Sequence, residues 1–146
     1  DTLFQALSQV GAKAEFKEIR LECSCDQDLM VPHDAKWTQE ALFNILDNAV
    51  KYTPEGGRIT VTAEVWEMFT KIDISDTGIG IAKEHYEDIF KRFYREGKVH
   101  LEEGVGIGLY LSRQIITQQG GYIKVSSKEG EGTTFSVFLP NLHERK

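Results

Sequence analysis

The sequence has no apolar run approaching the roughly 18 residues that a membrane-spanning helix needs. It also has no low-complexity tract or internal repeat, and no secretory leader is expected in it. Positive charge is scarce: 17 Lys and Arg stand against 23 Asp and Glu, a net charge of -6. That balance excludes non-specific binding to nucleic acid or to an anionic membrane surface. A site for a polyanion must then be local, built from backbone amides, a metal ion or a few cations. Cysteine is nearly absent, with 2 residues, both in "IRLECSCDQ". Neighbours at i and i+2 make only a very strained bridge, and two thiolates without companion ligands make no zinc site. Reduced, buried thiols in a reducing cytosol are the expectation.

What is present is a chain of 146 residues with 40% hydrophobic content, enough for one globular domain with a real core. It opens at Asp1 without a start methionine, and is expected to be a piece of something larger. "AEFKEIRLECS" reads as a strand, with Ile19, Leu21, Cys23 and Cys25 on its buried face. "LMVPHD" is a short extended segment, and Asp34 is a plausible N-cap for a helix running to about Tyr52. Pro54 and the Gly56-Gly57 pair stop that helix. "RITVTAEVW" and "TKIDISD" alternate as an antiparallel hairpin around Glu67 and Met68. Tyr86, Ile89, Phe90 and Phe93 fall at helical spacing in "KEHYEDIFKRF", and "REGKVHLEE" reads as a mobile loop. A helix from about Gly106 to Gln119, closed by Gly120 and Gly121, leads to two final strands, "YIKVSS" and "TTFSVFLP". The order suggests an α/β two-layer sandwich: a mixed, mostly antiparallel sheet with helices on one face.

Three local patterns carry chemistry. In "ALFNILDNAVKYTPEGG", Asn44, Asn48 and Lys51 share one helical stripe, while Leu42, Ile45, Leu46 and Ala49 form the opposite, buried face. Asn is a mediocre helix former, and two of them in mid-helix cost about 1 kcal/mol; a ligand face and an ordinary solvent face are both open readings. In "DISDTGIGI", alternation turns Asp76 to the same side as Ile72 and Ile74. A carboxylate there is costly unless donors meet it, and Gly78 and Gly80 let the backbone turn tightly beside it. In "EEGVGIGLYLSRQI", Gly104, Gly106 and Gly108 alternate before a helix, where bare amides and the helix dipole suit an anion. This is neither a P-loop, since no Gly-Lys-Ser/Thr follows, nor a Rossmann fingerprint, since no clear strand leads in. Thr133 shares the inward face of the last strand with Phe135, Val137 and Leu139.

These stretches, in this order over roughly residues 30 to 140, resemble the ATP-binding fold shared by sensor histidine kinases, DNA gyrase, Hsp90 and MutL (the Bergerat fold). Within it they look most like the catalytic domain of bacterial sensor histidine kinases. "NILDNAVKYT" resembles the N box, "DTGIGI" the G1 box, "IFKRFYR" the F box and "GVGIGLYLSRQI" the G2 box. Val105 stands where the family often has Thr, and Ile107 where Leu is common. The resemblance implies that Asn48 binds Mg²⁺ with Asn44 in support, and that Lys51, Tyr52 and Arg95 approach the nucleotide. It implies that Asp76 accepts from the adenine amino group with Thr133 nearby. Gly78, Gly80 and Ile81 would shape the adenine pocket, while Gly104, Gly106, Gly108 and Leu109 would border the phosphates.

The implied activity is transfer of the γ-phosphoryl group of ATP to a histidine on a separate dimerisation domain, then to a response regulator. "PHDAKW", which contains His33, lacks the Thr-Pro of a phosphoacceptor site, so the acceptor is expected elsewhere. Residues 1–12 would be the remnant of a linker from that hairpin and 13–146 the catalytic domain. The parent would be a homodimeric, membrane-anchored sensor with this domain in the cytoplasm, and the isolated domain a monomer. Two alternatives stand beside this: an ATPase or clamp of the gyrase, Hsp90 and MutL kind, and a nucleotide-sensing module that transfers nothing.

Overall fold

The computed structural model describes residues 2–24, 35–86, 88–90 and 108–140. Five strands form one sheet in the order β1-β2-β3-β5-β4. These are β1 (Arg20–Ser24), β2 (Arg58–Val65), β3 (Phe69–Asp76), β4 (Tyr122–Lys128) and β5 (Gly132–Pro140). β1 runs parallel to β2, and every other pairing is antiparallel. Helices α1 (Thr2–Phe16), α2 (Ala35–Tyr52) and α3 (Gly108–Gln118) complete the described elements, with two 3-10 turns at Lys83–His85 and Asp88–Phe90. The expected α/β two-layer sandwich is what forms.

The core lies between the layers. Ile59, Val61, Ile72, Ile74, Phe135 and Val137 come from the sheet, and Leu42, Ile45, Leu46, Ala49 and Ile116 from the helices. Alternation along β3 and β5 puts Ile72, Ile74, Phe135 and Val137 on one face, which is why these strands read so clearly. The opposite face carries Lys71, Asp73 and Ser136, with Ser136 Oγ donating to Asp73.

Three expectations change. The strand placed over residues 14–24 is helix to Phe16, then a turn, then five strand residues. Ala6, Val10 and Ala14, four residues apart, are buried and make one apolar stripe for α1. Cys23 is exposed rather than buried, because β1 is an edge strand whose residues are mostly exposed. The helix expected through Tyr86 and Phe90 is a pair of 3-10 turns, which bury Ile89 and Phe90 all the same. Asp34, Cys25, His33, Phe93, Arg95, Gly104, Gly106 and the loop around them lie outside the described residues.

Helix α1 runs alongside α2 in the same direction. Gln39 Nε2 donates to Gln9 Oε1 at 3.3 Å, and Lys13 pairs with Asp47 at 2.8 Å. At the far end Lys17 Nζ donates to the carbonyls of Val50 and Lys51 at 2.8 and 2.9 Å. Those carbonyls belong to the last turn of α2, which has no further turn to receive them. A cation from one helix thus closes the C-terminus of another, in the place the helix dipole favours. Glu18, at φ 59, turns the chain back towards β1, and its carbonyl accepts from Gly56 N–H at 3.0 Å. Arg20 N–H donates to Gly57 at 2.9 Å. The end of α2 is therefore fixed from two sides.

Candidate nucleotide site

Asn44 and Asn48 are half-buried on α2, while Leu42, Ile45, Leu46 and Ala49 behind them are buried, so the two-faced reading of this helix is correct. Asn48 and Tyr52 border an open cleft beside the ends of β3 and β5. Asn44 lies beside the start of α3: a Cβ on Gly108 would sit 3.7 Å from that of Asn44. Lys51 is exposed in the final turn and does not border the cleft.

Across the cleft, the end of β3 and the start of β5 are paired, Asp76 opposite Thr133. Gly78 N–H donates to Asp76 Oδ1 at 2.8 Å. Burial raises the Asp76 carboxyl above its ordinary 3.8, and the backbone donors of Gly78 and Thr133 offset this only in part. A half-buried acceptor is left at the cleft wall.

The Thr77–Gly80 turn has little freedom. Gly78 packs against the Tyr52 carbonyl with no room for a side chain, and Ile79 N–H donates to that same carbonyl at 3.3 Å. Gly80 has φ +81, and a Cβ there would overlap the Lys128 carbonyl. Gly130 N–H donates to Ile79 at 2.8 Å, so the turn is held by α2 on one side and the β4–β5 turn on the other.

The described residues therefore bring seven expected positions to one cleft: Asn48, Tyr52, Asp76, Gly80, Ile81, Leu109 and Thr133. Gly78 underlies it and Gly108 begins the helix beside Asn44. Reasoning from the sequence misses the apolar walls, Ile79, Ile89 and Phe135. Ile89 and Phe135 are core residues by pattern, and nothing local marks a core residue as also facing a ligand. Phe90 is 4% exposed and meets Phe135 edge-on at 6.2 Å, so it belongs to the core.

Ser127 is missed as well. Its Oγ accepts from Ile81 N–H at 2.6 Å, donates to Gly132 O at 2.9 Å and meets Thr133 Oγ1 at 2.8 Å. The Tyr86 phenol donates to Ser127 O and accepts from Ser127 N–H, both at 2.7 Å. A single Ser in a strand gives no sequence signal for this. An apolar slot with the Asp76 carboxylate in its wall and the Asn48 amide along one side suits a planar base bearing an amino group, with polar groups extending past it.

Comparison with known proteins agrees with this chemistry. Residues 33–143 match the family described as histidine kinase-, DNA gyrase B-, and HSP90-like ATPase. The sensor histidine kinase WalK of Bacillus subtilis is 39% identical over 125 residues, covering 83% of this chain and 20% of that protein. Sensor protein SrrB of Staphylococcus aureus is 39% identical over 110 residues, covering 74% of this chain and 19% of that protein. The chain thus spans about a fifth of the length of these relatives. Among solved structures, the catalytic domain of histidine kinase ThkA superposes with TM-score 0.83 at 26% identity, covering 96% of this chain and 92% of that one. The mycobacterial sensor histidine kinase MprB gives TM-score 0.83 at 27% identity, covering 95% and 91%. The chain belongs to the histidine kinase-, DNA gyrase B- and HSP90-like ATPase family, and within it is similar to the catalytic domain of sensor histidine kinases.

Proposed function

We propose that this chain binds Mg²⁺-ATP and directs the γ-phosphoryl group to a histidine on a separate dimerisation domain, for relay to a response regulator. The observation that carries the reading is the cleft itself, with half-buried Asp76 at one end and Asn48 on the α2 wall. The adenine ring fits between Ile79, Ile81, Ile89 and Leu109, its amino group towards Asp76. The triphosphate then extends past Asn48 towards the start of α3. ShkA, solved at full length with the ATP analogue AMPPNP, superposes with TM-score 0.85 at 25% identity, which supports a nucleotide in this cleft.

The metal would be held by the amide oxygens of Asn48 and, one turn earlier, Asn44. No cluster of three His, Cys, Asp or Glu occurs among the described residues. An ion there would be held by one or two protein oxygens, with phosphate and water as its further ligands, which suits Mg²⁺. When bound it neutralises triphosphate charge, which an acidic domain could not do alone. The protein's own contribution is positioning: Asp76 and the apolar slot fix the base, and α2 aligns the polar groups. Lys51 and Arg95 are the cations proposed for the phosphates, and Gly104 and Gly106 the flexible border.

Hydrolysis is the weaker reading. Gyrase, Hsp90 and MutL relatives are expected to carry a Glu base where this chain has Asn44, and an amide takes no proton. Glu40, one turn earlier, is exposed on the helix surface. The full protein is proposed to be a homodimeric, membrane-anchored sensor, with residues 1–12 leading from its dimerisation hairpin.

The test is calorimetric titration with ATP, with and without Mg²⁺, on the wild-type chain and Asn48→Ala. Phosphohistidine formation is then followed on a dimerisation hairpin supplied separately. The expected result is Mg²⁺-dependent binding, that dependence lost in Asn48→Ala, and label on the hairpin. Binding indifferent to Mg²⁺ would remove the metal assignment, and ATP hydrolysis without label on histidine would favour the ATPase reading.

A further inference from the structure

We propose that Ser127 sets the direction of the Thr133 hydroxyl, and through it the choice between an amino and a carbonyl group on the bound base. This rests on the ATP-binding reading above. Ser127 Oγ has one proton and two lone pairs. Ile81 N–H can only donate to it, at 2.6 Å, and Gly132 O can only accept from it, at 2.9 Å. Its proton therefore goes to Gly132, and its remaining lone pair receives the Thr133 hydroxyl at 2.8 Å. Thr133 borders the cleft and pairs directly with Asp76 across the ladder. With its proton turned to Ser127, Thr133 has only lone pairs left to offer the base.

Three neighbouring amides are already engaged. Gly78 N–H is engaged by Asp76, Ile79 N–H by the Tyr52 carbonyl and Ile81 N–H by Ser127. Asp76 and Thr133 thus form a wall of acceptor side chains. An amino group finds partners there; a carbonyl in its place meets oxygen lone pairs. Ser127 is kept in position by the Tyr86 phenol, which bonds both its N–H and its carbonyl at 2.7 Å. Ser127 itself does not line the cleft, so it is a positioning residue. Without its hydroxyl, the Thr133 proton is free to rotate and serve a carbonyl.

The experiment titrates this chain with ATP and with ITP, which carries a carbonyl where ATP has its amino group and a proton on the adjacent ring nitrogen, on the same ribose triphosphate. Wild type prefers ATP. In Ser127→Ala the ATP-to-ITP affinity ratio falls about fivefold, the scale of one net hydrogen bond, and Ser127→Thr, which keeps the hydroxyl, retains the wild-type ratio. In a Thr133→Val background, Ser127→Ala no longer changes the ratio. An equal loss for both nucleotides would mean that Ser127 only braces the fold and would overturn the inference. So would a ratio change that persists without the Thr133 hydroxyl. Failure of the wild-type chain to bind either nucleotide would instead overturn the ATP-binding reading itself.

Discussion

Asp76→Asn separates binding from stability, because the two effects have opposite signs. The substitution preserves shape and leaves an oxygen for the Gly78 N–H, now 2.8 Å from Oδ1. It removes the charge. A hydrogen bond to an ionised group contributes about 1.5–3 kcal/mol, and the Asn amide turns a donor towards the donor on the base. At about 1.4 kcal/mol per factor of ten, ATP affinity falls about 100-fold.

Stability goes the other way. Burial outweighs the backbone donors and raises the folded-state carboxyl above 3.8. A raised value means that this group's stabilising contribution is full below the unfolded-state value and is lost as pH rises through the folded-state one. At neutral pH the ionised carboxylate is thus the form the fold tolerates less, and Asp76→Asn unfolds at the same urea concentration as wild type or a higher one. The variant also lacks the gain in stability that this carboxyl gives wild type on acidification. Urea unfolding from neutral to acid pH, paired with ATP calorimetry, reads both effects. A loss above about 2 kcal/mol at neutral pH would show that the carboxylate is a structural bond rather than a functional strain. Wild-type ATP affinity in the variant would remove Asp76 from the site.

Gly80→Ala adds a left-handed alanine, about 1–2 kcal/mol, to an overlap with the Lys128 carbonyl. Urea unfolding is expected to show a loss above about 2 kcal/mol, with weaker ATP binding. Lys17→Met leaves the last carbonyls of α2 without their cation. The cost is about 1 kcal/mol after allowance for solvent at this partly exposed site, or a melting point about 3 °C lower by calorimetry. ATP affinity should also fall, because the Tyr52 carbonyl that anchors Ile79 follows those of Val50 and Lys51 in the same last turn.

Periodicity is informative wherever one face of an element meets the core. The α2 stripe and the inward turn of Asp76 and Thr133 are legible from residue spacing alone, because a displaced register would bury charge. Helix α1 is not legible in this way. Its stripe is Ala6, Val10 and Ala14, residues too small to stand out, and the alternation around Ile19 and Leu21 invites a strand to start early. The burial expected of Cys23 rests on that same alternation, which does not reveal that a strand lies at an edge. The 3-10 turns at Lys83–His85 and Asp88–Phe90 keep the buried aromatic that helical spacing predicts while breaking the helix itself. The role of Ser127 exists only where β4, β5 and the Gly80 turn converge on it, which is a tertiary event.

The wall proposed to meet the base stands on β3 and β5, which have hydrogen-bonded neighbours on both sides, whereas β1 and β4 lie at the margins. Opening either central strand means breaking two ladders at once. Amide exchange at Ile74 and Phe135 should accordingly follow global unfolding, while exchange along β1 proceeds by local fraying. A ligand gripping Asp76 and Thr133 draws on the most slowly exchanging part of the domain, and its binding energy adds to the stability of the whole fold rather than of one segment.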